Sequence, residues 1–452
     1  MSSLVCLGRH TVTGLLTTSG RQFHDWSADY RIFCRERFHL DQLFDPIRRG
    51  ILDQLPTHEP LVVAMDDSLF YKTGKKTPGV AYRRDPLGPP FRVNFILGQR
   101  FLQISAALPT GQGPAAARMI PLNFRHCPTP QKPRRLASEE EWGKYHQAKK
   151  KANISQKGVE RLHALRAALN NDPGGKDRTL VAVVDGGYTN STVLKNLPAQ
   201  TVLIGRIRKD AKLYHPPEPP TQNDRGRRRS YGQPLPTPEE LRQDHSLPYQ
   251  PIIAWATGKH HTFMVKSIPI VKWRTAGEHR SLRLIIIAPL AYRLTKKSRL
   301  LYRKPAYLIC TDPEMPPSKI LQSYLWRWDI EVNLRDEKHI LGAGQAQVRH
   351  QHSVEKVPAL IIAAYAMLLL AARQAFGTSE TISQALPKPK WRENKKPQRA
   401  STQDLINHLR AELWGKSMGV KNFSRFKDIN RVNPNPQKWK PQLTSAVLYT
   451  CT

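Results

Sequence analysis

Two aspartates each follow a compact aliphatic run. Asp66 follows Leu61-Val62-Val63-Ala64-Met65, and Asp185 follows Leu180-Val181-Ala182-Val183-Val184. Such runs read as buried strands, and a carboxylate closing one is costly unless water, hydrogen bonds or a metal ion takes up its charge. One such aspartate ordinarily caps a turn or a helix. Two of them, separated by further strand and helix patterns, point towards a metal site, because strand ends in open α/β sheets border the crevice where ligands collect. Farther along, Tyr324, Arg327, Glu331 and Lys338 stand at i, i+3, i+7 and i+14 of a helical pattern. At about 100° per residue, all four fall within roughly 60° of one face. A core helix would carry an apolar stripe there. This stripe is a phenol, a guanidinium, a carboxylate and an ammonium. It reads either as a surface ion-pair ladder, since Arg327 and Glu331 are four apart, or as a partner of the two aspartates.

The elements that must position these groups alternate in character along the 452 residues, a length that calls for several packed units. Residues 1–55 read as short amphipathic helices. Residues 56–208 begin an α/β core with the strand ending at Asp66. FRVNFILGQRFLQISAALP then reads as a β-hairpin hinged at Gly98-Gln99. Ser138 and Glu141 match a capping box that opens a helix running towards Asn170. Its Lys149-Lys150-Lys151 is either a solvated face or a DNA contact. The Leu180–Val184 strand, a short helix in TNSTVLKNL and a strand in TVLIGRI follow, which predicts a sheet with some parallel pairing. Residues 209–315 start with an exposed basic loop, YHPPEPPTQNDRGRRRSYGQPLPTPEE, whose composition cannot pack a core. Four strands then come without helices, in PIIAWAT, HTFMVKSIPIVKW, LRLIIIAPL and AYLICTD, so this block reads as a β-rich insertion. Residues 316–385 hold one long helix from about Pro317, then the apolar run Val357–Ala372. That run is shorter than a typical membrane span and carries Pro358, so it reads as a buried core helix. Residues 386–452 form a basic tail with one helical island, TQDLINHLRAELWG.

Lysine plus arginine number 71 against 36 acids, a formal charge of +35. An average metabolic enzyme does not carry such an excess, and nucleic acid is the simplest polyanionic partner. Residues 1–55 and 316–385 each carry 7 basic and 6 acidic side chains. The excess therefore lies in 56–200, 201–315 and 386–452. Cys6, Cys34, Cys127, Cys310 and Cys451 form no CxxC pair, which argues against a zinc ribbon or disulfide framework and for a reducing cytoplasm. His126-Cys127, His260-His261 and His350-Gln351-His352 lack partners at metal-site spacing. The N-terminus, MSSLVCLGRH, has no signal-peptide core.

Tyr-x2-Arg-x3-Glu-x6-Lys, preceded by two strand-end aspartates, resembles the signature of bacterial insertion-sequence transposases with an Asp-Asp-Glu catalytic core. The resemblance spans most of the chain: Met65-Asp66-Asp67-Ser68, VVDGGY, the β-rich insertion, RWDIE, LGAGQAQVR and the apolar helix. It implies a ribonuclease H-like α/β fold, a mixed sheet flanked by helices, with a β-rich insertion domain and a helical N-terminal segment. That N-terminal segment is the family's usual candidate for binding DNA ends. It also implies metal-dependent cleavage and joining of DNA, with two Mg²⁺ or Mn²⁺ ions held by Asp66, Asp185 and Glu331. Asp67 rivals Asp66. The family places its acid two residues before a Ser or Thr, here Ser68, which favours Asp66. By the same resemblance Tyr324, Arg327 and Lys338 bind phosphates near the transposon end, and Trp273 either stacks on a base or packs in the core. Trp326 and Trp328 read as packing residues. The implied partners are double-stranded DNA, both transposon ends and target, and a second copy of the chain in a synaptic complex. A nucleoid-associated cytoplasmic location without a membrane completes the expectation. The alternatives are a domesticated, non-catalytic DNA-binding protein of the same fold and a metal-dependent nuclease without strand transfer.

Overall fold

In the computed structural model, which describes residues 1–85, 88–89, 91–218, 230–277, 280–295, 297–378 and 399–417, the first aliphatic run is half of a longer strand. This strand, β1 (Leu61–Tyr71), is followed by β2 (Ala81–Arg84), β3 (Phe95–Pro109) and β4 (Ala117–His126). The second run is β5 (Leu180–Val184), and TVLIGRI supplies β6 (Thr201–Arg206). Antiparallel β4, β3 and β1 continue into β5 and β6, which pair in parallel, in the order β4-β3-β1-β5-β6. That is the ribonuclease H-like sheet, here mixed and flanked by helices.

The predicted strands of 209–315 are β7 (Gln250–Ala256), β8 (Lys259–Val271), β9 (Leu282–Ile287) and, beyond the short pair β10 (Ala291–Tyr292) and β11 (Leu301–Tyr302), β12 (Ala306–Cys310). They hydrogen-bond onto the free edge of β6 as β12-β9-β8-β7, all antiparallel. The block inserted in sequence thus extends the ribonuclease H-like sheet itself. The middle of the expected basic loop, residues 219–229, lies outside the described residues, as does the basic tail apart from 399–417.

Helices cover both faces. The N-terminal segment is helical as expected, with α1 (Ser2–Val5), α2 (Val12–Thr18), α3 (Ser27–Cys34) and α4 (Asp45–Leu52). The capping box is present, since Ser138 accepts from the Glu141 amide at 3.3 Å and Glu141 accepts from the Ser138 amide at 2.9 Å. The predicted single helix nevertheless divides into α5 (Glu139–Lys151) and α6 (Ile154–Asn170), the latter capped by Asn153. Apolar residues recur at helical spacing only from Ile154 onward. α6 buries Val159, Leu162, Leu165 and Leu169, whereas α5 buries nothing. Glutamates in its first turn and lysines in its last complement the helix dipole of α5, which suits a helix standing in solvent.

After α7 (Ser191–Lys195), α8 (Pro238–Gln243) and α9 (Arg274–Gly277), the expected long helix also divides, into α10 (Pro317–Trp326) and α11 (Trp328–His339). Tightened turns at the junction bond Arg327 N–H to Tyr324 and Ile330 N–H to Arg327. On either side, Trp326 Nε1 donates to Ala115 O at 2.8 Å and Asp329 accepts from Met119 N at 3.0 Å, which ties the junction to the β3–β4 hairpin. Trp326 therefore packs, but Trp328 does not. It is 64% exposed on the outward side of α11.

The apolar run lies within α12 (Ser353–Phe376), and α13 (Thr402–Ser417) is the helical island. By length and composition α12 could cross a membrane, yet 67% of its apolar window is buried inside the protein. Its Val357, Ile361, Tyr365 and Leu369 join a core with β4 and the N-terminal helices, as expected of a core helix.

The predicted hairpin at Gly98-Gln99 is not there, because β3 runs straight through both residues. Gly98 pairs with Tyr71, and a Cβ on it would stand 2.9 Å from the Phe70 carbonyl oxygen. The glycine serves a close approach of backbones and not a turn. The hairpin of this region joins β3 to β4.

Candidate active site

Side-chain alternation decides where each acid points. On β1, Leu61, Val63 and Met65 enter the core shared with α6, whereas Val62 and Ala64 enter the core shared with α10 and α11. Asp66 continues the second set and Asp67 the first. On β5, Val181 and Val183 belong to the α10–α11 side, so Asp185, next in parity, opens onto it too. The parallel ladder of β1 and β5 ends at Met65 and Val184, leaving Asp66 and Asp185 as the next neighbours on either strand. Asp66 is not at a strand end, since β1 continues to Tyr71, but it stands where β5 stops.

The two acids feel each other. Burial, and then the charge of Asp185, push the Asp66 carboxyl up to about 7, with Arg327 partly opposing them. Asp185 is held by its own loop. Its carboxylate accepts from Gly187 N at 2.9 Å, and Thr189 Oγ1 donates to its carbonyl at 2.7 Å. Thr189 can reach because residue 205 on β6 is glycine, where a Cβ would come within 2.3 Å of Thr189 Oγ1.

The α10–α11 junction faces this pair. Arg327 Nη1 lies 3.5 Å from Asp66 Oδ2, and Nη2 donates to Glu331 Oε1 at 2.9 Å. The Arg327 guanidinium sits 5.8 Å from the Tyr324 ring centre. Burial works against its charge, yet Tyr324, Glu331 and Asp66 hold its pKa above the ordinary arginine value. The division of the helix therefore leaves Tyr324, Arg327 and Glu331 together. Lys338, farther along α11, places its ammonium 6.0 Å from the Phe70 ring centre on β1. Burial lowers its pKa, against the pull of Glu337, Asp85 and Asp66.

Asp67, on the reverse face, accepts from the Tyr188 hydroxyl at 2.7 Å and pairs with Arg100 at 3.1 Å. Those contacts tie β1 to β3 and to the loop after β5, and leave Asp66 as the acid on the Glu331 side. Trp273 is half-buried against the core, and it also lines a cleft of roughly 1280 Å³ shared with Asp185, Tyr324 and Arg327.

One acid was missed in the sequence. Gln103, the cross-strand neighbour of Asp66, donates through Nε2 to Glu337 Oε1 at 2.9 Å. Glu337 is fully buried, its pKa is pushed up to about 8 by burial, and Oε2 has no partner among the described residues. A neutral carboxylic acid thus sits beneath the site between α11 and β3.

Three carboxylates from distant segments offer hard oxygen donors of the kind divalent cations prefer. A cation would also relieve the repulsion that raises the Asp66 pKa, so the donor chemistry fits. Among the described residues no three acidic, histidine or cysteine side chains are already gathered round one point. Arg327 pairs with both Asp66 and Glu331 and so holds the two acids on one side of the site.

A ribonuclease H-like sheet bearing paired aspartates and a helix-borne glutamate defines the class of nucleases that cut phosphodiesters with acidic side chains. Residues 2–262 match the family described as DDE superfamily endonuclease, and the chain belongs to that family. No curated protein matches the chain.

Proposed function

We propose that this endonuclease is a transposase of an insertion sequence. It would bind the terminal inverted repeats of its element, cleave them and join them to target DNA. The observation that carries the reading is that Arg327 joins Asp66 to Glu331 while Asp66 feels the charge of neighbouring Asp185, with Tyr324 and Lys338 alongside. Asp66, Asp185 and Glu331 would hold two Mg²⁺ or Mn²⁺ ions. When bound, such ions activate a water or a DNA 3′-hydroxyl and stabilise the leaving oxygen of an in-line displacement. Arg327 has the planar fork that grips a phosphate in bidentate fashion, Lys338 supplies a point charge and Tyr324 a hydroxyl. These groups position the phosphodiester and do not move protons. The working form is a homodimer that pairs two double-stranded ends at the nucleoid in the cytoplasm.

The test uses a plasmid carrying the element's ends, a separate target plasmid and Mg²⁺. The wild type is expected to cut at the ends and to give joined products. Asp66→Asn, Asp185→Asn and Glu331→Gln should fall to background, while Asp67→Asn still cuts. Normal cutting by any of the first three would sink the site assignment. Cutting without joined products would reduce the protein to a nuclease.

A further inference from the structure

The cleft beside Asp185 extends away from the acids, across the junction of β6 and β12, and at roughly 1280 Å³ exceeds an ordinary small-molecule pocket of about 300–1,000 Å³. Its rim carries two kinds of cation. Arg208 is paired with Asp210 at 2.9 Å, and Arg242 is paired with Glu239 at 2.6 Å. Arg242 and the Tyr307 hydroxyl hold the Glu239 carboxyl down at about 2, so that acid is fully engaged. Arg206, Lys209, Lys212 and Lys304 are exposed and make no ion pair among the described residues. They come from the end of β6, the loop after it and the residue pair before β12, yet they border one cleft.

With Asp210 and Glu239 of the same lining already paired to Arg208 and Arg242, four further exposed cations line a cleft that opens at Asp185, and they complement a polyanion threaded past that carboxylate. We infer that this cleft binds the backbone of one DNA strand leaving the catalytic centre, with phosphates on Arg206, Lys209, Lys212 and Lys304. The occupant is a single strand because the cleft also presents Trp273, and bases stack on aromatic rings in grooves that track a single backbone. The four cations stand on the sheet extension, at the other end of a cleft that Tyr324 and Arg327 also line. The inference rests on the proposed DNA chemistry.

The test measures binding of the full-length protein to a fluorescein-labelled DNA strand and to its duplex, by anisotropy over a series of KCl concentrations with EDTA present. A variant carrying Arg206→Gln, Lys209→Gln, Lys212→Gln and Lys304→Gln removes four exposed charges and no buried contact. On the single strand, the slope of log affinity against log salt should flatten by about 2.8, at roughly 0.7 per phosphate contact. Arg208→Gln, whose charge is already paired, should leave the slope unchanged. An unaltered slope in the fourfold variant, or flattening on the duplex alone, would overturn the inference. The two readings fail separately. A wild type that cuts DNA while the variant keeps its slope loses only the cleft, and a variant that loses slope in a protein that never cuts loses only the nuclease reading.

Discussion

Glu337→Gln should stabilise the protein, by an amount that grows with pH. The folded-state pKa of about 8 lies above the ordinary 4.5 because the carboxyl is fully buried, which outweighs the lowering by the Gln103 hydrogen bond and the Lys338 charge. Below pH 4.5 both the folded and unfolded chains keep the proton, and the acid costs nothing. Between 4.5 and 8 the unfolded chain releases the proton while the folded chain retains it. Stability is therefore lost as pH rises, at about 1.4 kcal/mol per pH unit, levelling off above pH 8. The isosteric amide still accepts from Gln103 and has no proton to lose. From about pH 5.5 to about pH 8 the stability gap between variant and wild type should widen by about 3 kcal/mol. Urea unfolding followed by tryptophan fluorescence at the two pH values reads this gap. A gap that stays constant would mean that Glu337 is ionised in the folded protein, and the picture of a neutral acid beneath Asp66 would be wrong.

Lys266 is 2% exposed, and its ammonium donates to the carbonyls of Leu241, Arg242 and Asp244 at the end of α8. Lys266→Met should cost about 3 kcal/mol or more in chemical denaturation, since charge-assisted hydrogen bonds contribute about 1.5–3 kcal/mol each. A cost below about 1 kcal/mol would show that the end of α8 does not depend on this anchor. Gly98→Ala should destabilise by about 1–3 kcal/mol, because the new Cβ meets backbone and not a side chain that can turn aside. An unchanged unfolding midpoint would refute the close-approach account of that glycine. Trp273→Ala should weaken binding of single-stranded DNA by about 1–3 kcal/mol, whereas Trp273→Phe should retain most of it. A loss of stability with unchanged affinity would assign Trp273 to the core alone.

The parts of the fold legible in the sequence were those with a strong local period. The aliphatic runs of β1 and β5, the capping box of α5 and the apolar run of α12 each declare themselves within a few residues. β4 does not, because Arg118, Pro121 and Asn123 interrupt its pattern. Its proline is tolerated beside the irregularity where Ile104 pairs with Asn123 and Ser105 with Pro121, a place where one ladder bond is already lost. Gly98-Gln99 misleads for another reason, since glycine marks a tight turn and a close backbone approach alike, and only the neighbouring strand distinguishes them. Nor does any local signal reveal that β12, β9, β8 and β7 join β6, because pairing between segments distant in sequence leaves no periodic trace.

The site divides along the same line, and Glu337 is the instructive case. Ile330, Asn333, Leu334 and Glu337 recur at i, i+3, i+4 and i+7, the stripe by which α11 meets the sheet, and all four are buried. Glu337 is six residues from Glu331, about 120° away round the helix, so the two glutamates cannot share a face. Spacing that groups Glu331 with Arg327 and Tyr324 therefore also places Glu337 inside the apolar stripe, where a charged carboxylate is costly. An acid at such a position needs a partner or a proton. That much can be read from the sequence. Gln103 as the partner, and its place across the ladder from Asp66, follow only from the register of β1 with β3. The register thus links the buried acid to the face that carries Asp66, with α11 set against the sheet by Glu337 on one side and turned towards Asp66 by Glu331 and Arg327 on the other.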